Sequence, residues 1–193
     1  ASRRGSGTTF HSEALEYVPD SGEPSQDLPL LKEPAGGVPQ LISTARGLDR
    51  AIESLAAGTG EFSVDTERAR GIRYGQRAFL IQLKRTDSGI WLIDPEAYDD
   101  FSELNTVLQS APWILHAASQ DLPCLHEAGL TPPELFDTEL AARLLGMPKV
   151  GLATLTEELL GVRLAKEHSA ADWSQRPLPE KMLAYAALDV ELL

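Results

Sequence analysis

Residues 61–67 read Glu61-Phe62-Ser63-Val64-Asp65-Thr66-Glu67. The stretch begins with the pattern of a buried strand and ends in two carboxylates separated by one residue. Alternate side chains of an extended strand share a face, so Asp65 and Glu67 point the same way. Like charges held that close repel and raise each other's pKa unless a cation lies between them. A hard, oxygen-seeking ion such as Mg²⁺ or Mn²⁺ removes the conflict. Asp-x-Glu also suits a solvated loop, so the rest of the chain decides between the two readings.

The 193 residues suffice for one α/β domain plus a tail, and 42% hydrophobic with 24% charged residues is a globular composition. No apolar run approaches the length of a membrane span, and the N-terminus lacks the apolar core of a signal peptide. Cys124 is the single cysteine, which excludes an intrachain disulfide and suits a reducing, cytoplasmic compartment; Leu122-Pro123-Cys124-Leu125 reads it as a small buried hydrophobe. A formal charge of −12 argues against a protein that coats nucleic acid nonspecifically. It leaves room for an acidic, metal-filled cleft with a basic rim, for which Arg68, Arg70, Arg73, Arg77, Lys84 and Arg85 are candidates beside the solvated-hairpin reading.

Residues 1–37, rich in Gly, Ser, Pro and Glu, read as a flexible arm, laid along the domain through Leu28, Leu30 and Leu31. A folded domain is expected from residue 38 to 193. Val38 to Ile42 is a short extended segment, and Ser43-Thr44 caps a helix carrying Leu48, Ile52, Leu55 and Ala56, closed by Gly58 and Gly60. Strands follow at Phe62–Asp65, Phe79–Leu83 and Trp91–Ile93, with connections short enough for an antiparallel meander. Then come a helix from Phe101 to Ser110, a buried strand Trp113–His116, a helix from Gln120 to Gly129 and a brief strand at Leu135-Phe136. Helices at Thr138–Leu145, at Leu152–Leu160 before Gly161, and from Pro179 onward close the chain. This order predicts an α/β fold with a mixed five-stranded sheet flanked by helices and no internal repeat. The pattern stops at Leu192-Leu193 without a cap, which leads us to expect further helical modules beyond it.

Two more acids stand in settings that a metal site requires. Asp121 follows the strand Trp113–His116 in the first turn of the next helix, where the helix dipole alone favours an acid but where α/β proteins also place their sites. Asp189 lies four residues after Tyr185, so phenol and carboxylate share a helical face.

With these residues the chain resembles the ribonuclease D family, within the DEDD group of 3′-to-5′ exonucleases, in the subclass with a tyrosine in its third motif. Phe62-Ser63-Val64-Asp65-Thr66-Glu67 matches the first motif, Leu115-His116-Ala117-Ala118-Ser119-Gln120-Asp121-Leu122 the second, and Tyr185-Ala186-Ala187-Leu188-Asp189-Val190 the third. Phe136-Asp137-Thr138, Ala141-Ala142-Arg143-Leu144-Leu145-Gly146, Lys166-Glu167-His168-Ser169 and Asp172-Trp173-Ser174-Gln175-Arg176-Pro177-Leu178 add to the likeness, which runs from residue 38 to the end.

The resemblance implies a ribonuclease H-like fold and hydrolysis by two divalent ions, Mg²⁺ or Mn²⁺. Asp65, Glu67 and Asp189 would hold the first ion, Asp65 would bridge to the second, and Asp121 would reach the second through water. Tyr185, with an ordinary pKa near 10, would orient the attacking water rather than act as a base. Glu67 and the main chain around Thr66 would contact the terminal 3′ hydroxyl. His116 and His168 are candidates near the terminal nucleotides, against a structural reading of each. Trp173 reads as packing the last helix on the sheet, with base stacking the alternative; Trp91 and Trp113 read as core. The implied substrate is an RNA 3′ end, single-stranded or structured as in transfer RNA precursors, shortened by release of nucleoside monophosphates. A DNA-directed exonuclease, a silent scaffold of the same fold and an acidic interaction domain are the competing readings.

Overall fold

The computed structural model describes residues 28–68, 77–165 and 171–193. The expectations for residues 1–27, for Arg70 and Arg73, and for Lys166-Glu167-His168-Ser169 lie outside the described residues.

The meander forms as the alternation requires. Strand β3 (Thr59–Glu67) pairs antiparallel with β4 (Leu80–Thr86), and β4 with β5 (Gly89–Ile93). Strands β6 (Trp113–Leu115) and β7 (Leu135–Asp137) extend the sheet in parallel on the other side of β3. The sheet has six strands, not five, because β2 (Leu41–Ile42) joins it parallel to β5 and gives the order β2-β5-β4-β3-β6-β7. The Asp94 amide donates to the Ile42 carbonyl at 2.9 Å, a main-chain bond that no side-chain pattern announces. Of the segment expected as an arm, β1 (Leu30–Leu31) pairs in parallel with β8 (Arg163–Leu164) in a separate two-stranded sheet.

Helices cover both faces. Helix α1 (Ala45–Ala57) starts where Thr44 accepts a bond from the Gly47 amide at 3.1 Å. Helix α2 (Ser102–Leu108) and helix α3 (Leu122–Glu127) lie on the same side. Helix α3 is shorter than expected, since Ala118–Gln120 form a 3₁₀ turn and Asp121 stands between the two elements at the N-cap. After α4 (Thr138–Leu144), α5 (Leu152–Leu155) runs into a π-helical turn, Thr156–Leu160, that ends at Gly161 with a φ of +67°. Helix α6 (Glu180–Glu191) packs on β3, β4 and β5 from the opposite side.

Strand periodicity sorts the side chains between these layers. Phe62, Val64, Ile81, Leu83, Ile93 and Trp113 meet α1, α2 and α3, whereas Leu80 and Leu92 meet Trp173, Met182, Ala186 and Ala187 on the α6 side. Trp113 and Trp173 are fully buried; Trp91 is only half-buried and donates to the Ser88 carbonyl at 3.0 Å. Each fully buried Leu or Phe contributes roughly 1.5–3 kcal/mol relative to exposure.

One polar clamp ties α6's lead-in to the sheet. The Arg176 guanidinium meets both Asp94 oxygens at 2.7 Å and donates to the Phe79 and Trp173 carbonyls at 2.8 and 2.9 Å. Burial pushes the Asp94 carboxyl up, but bonds from Arg176 and the Glu96 amide outweigh it and hold the group below its ordinary value. Arg176→Ala should lower stability by about 2 kcal/mol, less than the ~3–5 kcal/mol of a fully buried pair. The discount reflects the 27% exposure of the Arg176 side chain. Urea denaturation checks this; a change under about 0.5 kcal/mol would place the stability elsewhere.

Candidate active site

Past Val64, the alternation of β3 continues into its acidic end. Thr66 stays on the α3 side with Val64, so Asp65 and Glu67 are presented toward α6. Tyr185 and Asp189, one helical turn apart on α6, face them. Carboxylate oxygens of Asp65, Glu67 and Asp189 all lie within 4.8 Å of one another. They line a cavity of about 380 Å³ together with Arg68, His116, Asp121 and Tyr185. The sequence-predicted residues therefore converge. Asp121 shares the cavity but stands outside the close trio, on the N-cap of α3.

The electrostatics follow from crowding. Burial raises the Asp65 carboxyl well above its ordinary range, and the charges of Asp121, Asp189 and Glu67 raise it further. Burial pushes Asp189 up to about 7, with Asp121 adding to the rise and a hydrogen bond from the Tyr185 hydroxyl opposing it. The Tyr185 phenol is itself raised by burial and then by Asp189, Glu67 and Asp65, so it stays protonated at neutral pH. It can orient a partner but cannot serve as a base. Closely grouped hard oxygens, with the Asp65 and Asp189 carboxyls raised, fit a hard divalent ion such as Mg²⁺ or Mn²⁺. The cysteine offers no competing soft ligand, since Cys124 is buried against Thr66 and the Asp121 carbonyl.

His116 has a structural bond as well as a place in the cavity. Its Nδ1 lies 2.9 Å from the Thr138 hydroxyl, which donates onward to the Leu115 carbonyl at 3.2 Å. The imidazole must therefore donate through Nδ1 and keep Nε2 as the acceptor. Burial lowers its pKa, so the ring is neutral near pH 7. Trp173 packs as expected, and its ring lies 6.3 Å from that of Tyr185, bracing the phenol.

The basic rim is smaller than expected. Among the described members, Arg68 alone lines the cavity, with Nη2 3.9 Å from Asp121. Arg77 approaches Glu96 at 3.9 Å; Lys84 donates to the Glu191 carbonyl at 2.7 Å. Arg85 lies over the Phe62 ring at 4.3 Å and donates to the Leu55 and Gly60 carbonyls. Charge at helix ends and over aromatic rings claims these side chains first.

Two contributors escape a reading of motifs alone. Gln82, fully buried on β4 opposite Asp65, donates from Nε2 to Asp65 Oδ2 at a long 3.4 Å, and its Oε1 has no partner among the described residues. A glutamine inside the apolar run Leu80-Ile81-Gln82-Leu83 was the available signal. Asp137 accepts from the Ala117 and Ala118 amides at 3.0 Å while capping α4 through the Glu139 amide at 2.9 Å. It thereby holds Ala117 at φ +57°, a left-handed conformation costing about 1–2 kcal/mol, and delivers the chain to Asp121.

The 3′-5′ exonuclease family matches residues 39–193. Ribonuclease D of Escherichia coli (strain K12) is 39% identical over 158 residues, which is 78% of this chain and 41% of that protein. The chain thus spans about two fifths of the length of the curated relatives it matches. A solved structure from Bifidobacterium adolescentis superposes with a TM-score of 0.84 at 50% identity, over 86% of this chain and 41% of the other. Escherichia coli ribonuclease D, described as an exoribonuclease involved in structured RNA processing, gives 0.72 at 38% identity over 79% and 41%. The catalytic core of RRP6 from Trypanosoma brucei gives 0.73 at 27% identity over 83% and 46%.

The raised Asp189 predicts a pH signature. The folded chain holds this proton more tightly than the unfolded chain does, so its contribution to stability is complete below the ordinary value of 3.8 and is lost as pH rises through about 7. A divalent ion favours the ionised form. Mn²⁺ should therefore raise Tm by a few degrees at pH 8 and by much less at pH 5, roughly as binding linkage requires. Equal increments at both values in a thermal melt would contradict a carboxylate metal site.

Proposed function

This chain belongs to the 3′-5′ exonuclease family, and on that premise we propose that it is the nuclease domain of a metal-dependent exoribonuclease releasing nucleoside monophosphates from RNA 3′ ends. The observation that carries the reading is the convergence of Asp65, Glu67 and Asp189 within one small cavity, flanked by Asp121 and Tyr185. The likeness to ribonuclease D supports RNA as the polymer, and structured RNA such as transfer RNA precursors as its source. A cytoplasmic setting belongs to the same reading; among the described residues no helix is long and apolar enough to cross a membrane.

Phosphodiester hydrolysis needs an oriented nucleophile and neutralised charge on the phosphate. Divalent ions, Mg²⁺ or Mn²⁺, supply the neutralisation and a more acidic water when bound. Asp65, Glu67 and Asp189 would hold one, and Asp65 with Asp121 a second. The Tyr185 hydroxyl, anchored on Asp189, orients the attacking water. Glu67 and the main chain at Thr66 face the terminal 3′ hydroxyl, and His116 offers its neutral Nε2 near the last nucleotide. Basic modules elsewhere in a longer chain would add grip that an acidic domain lacks.

A 5′-labelled single-stranded RNA incubated with Mg²⁺, Mn²⁺ or EDTA tests the reading. A ladder shortening from the 3′ end is expected with metal and not with EDTA. Asp65→Asn and Asp189→Asn should reduce turnover to background while leaving the metal-free fold intact or slightly more stable, because repulsion is relieved. Tyr185→Phe should slow hydrolysis by roughly 10²-fold with metal binding unchanged. Full activity in Asp189→Asn would sink the assignment. Faster shortening of a matched DNA strand would move the substrate to DNA.

A further inference from the structure

Thr66 stands between two acids of the cavity, yet its side chain points to the other side of β3. Its hydroxyl lies 2.6 Å from Asp121 Oδ1 and 3.1 Å from Cys124 Sγ, and all three residues are buried. Cys124 in turn is 2.9 Å from the Asp121 carbonyl. We propose that the Thr66 hydroxyl is the positioning group for Asp121, turning that carboxylate away from its own helix and into the cavity. The inference rests on the exonuclease reading above.

Asp121 occupies the N-cap of α3, where an aspartate ordinarily folds back onto a first-turn amide; here the second position is Pro123, which has no N–H, and Asp121 has helical φ and ψ of −102° and −32°. Its side chain makes no such cap bond. The threonine hydroxyl has one proton and gives it to the carboxylate, since a bond to a charged oxygen is about twice as strong as a neutral one. The Cys124 thiol spends its one proton on the Asp121 carbonyl, so its sulfur only packs against that hydroxyl. Arg68, 3.9 Å away on the cavity side, is a looser second partner that solvent can reach. Strand alternation thus lets three consecutive residues do two jobs. Asp65 and Glu67 project toward α6, and Thr66 between them aims the acid that α3 carries.

The test compares Thr66→Val, which keeps shape and strand preference but removes the hydroxyl, with Thr66→Ser, which restores it. Mn²⁺ binding to each protein without substrate is followed by calorimetry and electron paramagnetic resonance, beside kcat and KM on the labelled RNA. Partners of metal-ligating groups typically cost 10–100-fold in affinity or activity when lost. Thr66→Val should weaken the second of two Mn²⁺ equivalents by roughly 10-fold or more and lower kcat by a similar factor with KM little changed. Thr66→Ser should return both to within about threefold of the parent, on the same footing. Cys124→Ala should bind Mn²⁺ like the parent. Undiminished Mn²⁺ binding in a folded Thr66→Val, or an equal loss in Cys124→Ala, would overturn the proposal, the latter by assigning the effect to packing behind Asp121. A parent chain that binds two Mn²⁺ ions but shortens no RNA would instead sink the exonuclease reading, and the binding arm would still decide the role of Thr66.

Discussion

Repulsion between crowded carboxylates, half-buried on β3 and buried on α6, is the constraint that the rest of this structure answers. Asp65, Glu67 and Asp189 are held closer than isolated acids would choose, with Asp121 near enough to raise two of them. No local propensity would produce that grouping. It exists because β3 and α6 are each fixed by forces larger than the repulsion. The strand is central, hydrogen-bonded on both sides and backed by Phe62 and Val64. The helix is seated by Met182, Ala186 and Ala187 against the sheet, by the Arg176–Asp94 clamp at one end, and by Lys84 on the Glu191 carbonyl at the other. Hydrophobic burial on both sheet faces keeps the charges together.

Around the acids the protein uses neutral donors more than cations. Tyr185 bonds Asp189, Thr66 bonds Asp121, and Gln82 reaches Asp65. Such groups can aim a carboxylate without cancelling the charge a divalent ion would need. Arg68 is the described exception, and it stays at ion-pair distance. Of the other described cations, Arg77 approaches Glu96, while Lys84 and Arg85 serve a helix end, carbonyls and an aromatic ring.

Sequence legibility divided along a physical line. Alternation in Phe62–Glu67, the four-residue step from Tyr185 to Asp189 and the antiparallel order of the three meander strands are local, and each appears in the structure. Val38 to Ile42 was read as extended, but its joining the sheet as a sixth strand was not, because a two-residue edge element held by main-chain bonds carries no periodic signal. The length of α3 was overread for a related reason, since a 3₁₀ turn and an N-cap residue look helical in composition. Arg85 and Lys84 read as a rim because charge is visible in sequence while its partners, a phenylalanine ring and a helix end, are not. Asp137 was quoted only as part of a motif. Its work on the left-handed Ala117 turn depends on the parallel pairing of β6 with β7. Cys124, read as a small hydrophobe, is buried as expected but also contacts Thr66 through sulfur.

Helix α6 carries both Tyr185 and Asp189, while β3 carries Asp65 and Glu67 far earlier in the chain. During synthesis the N-terminal part emerges first. The sheet can therefore assemble on the ribosome while its acids remain an incomplete set. Only when the segment from Trp173 through α6 clears the exit tunnel and docks does the cavity gain its third clustered acid and its phenol. Neither β3 nor α6 alone therefore presents the acidic trio.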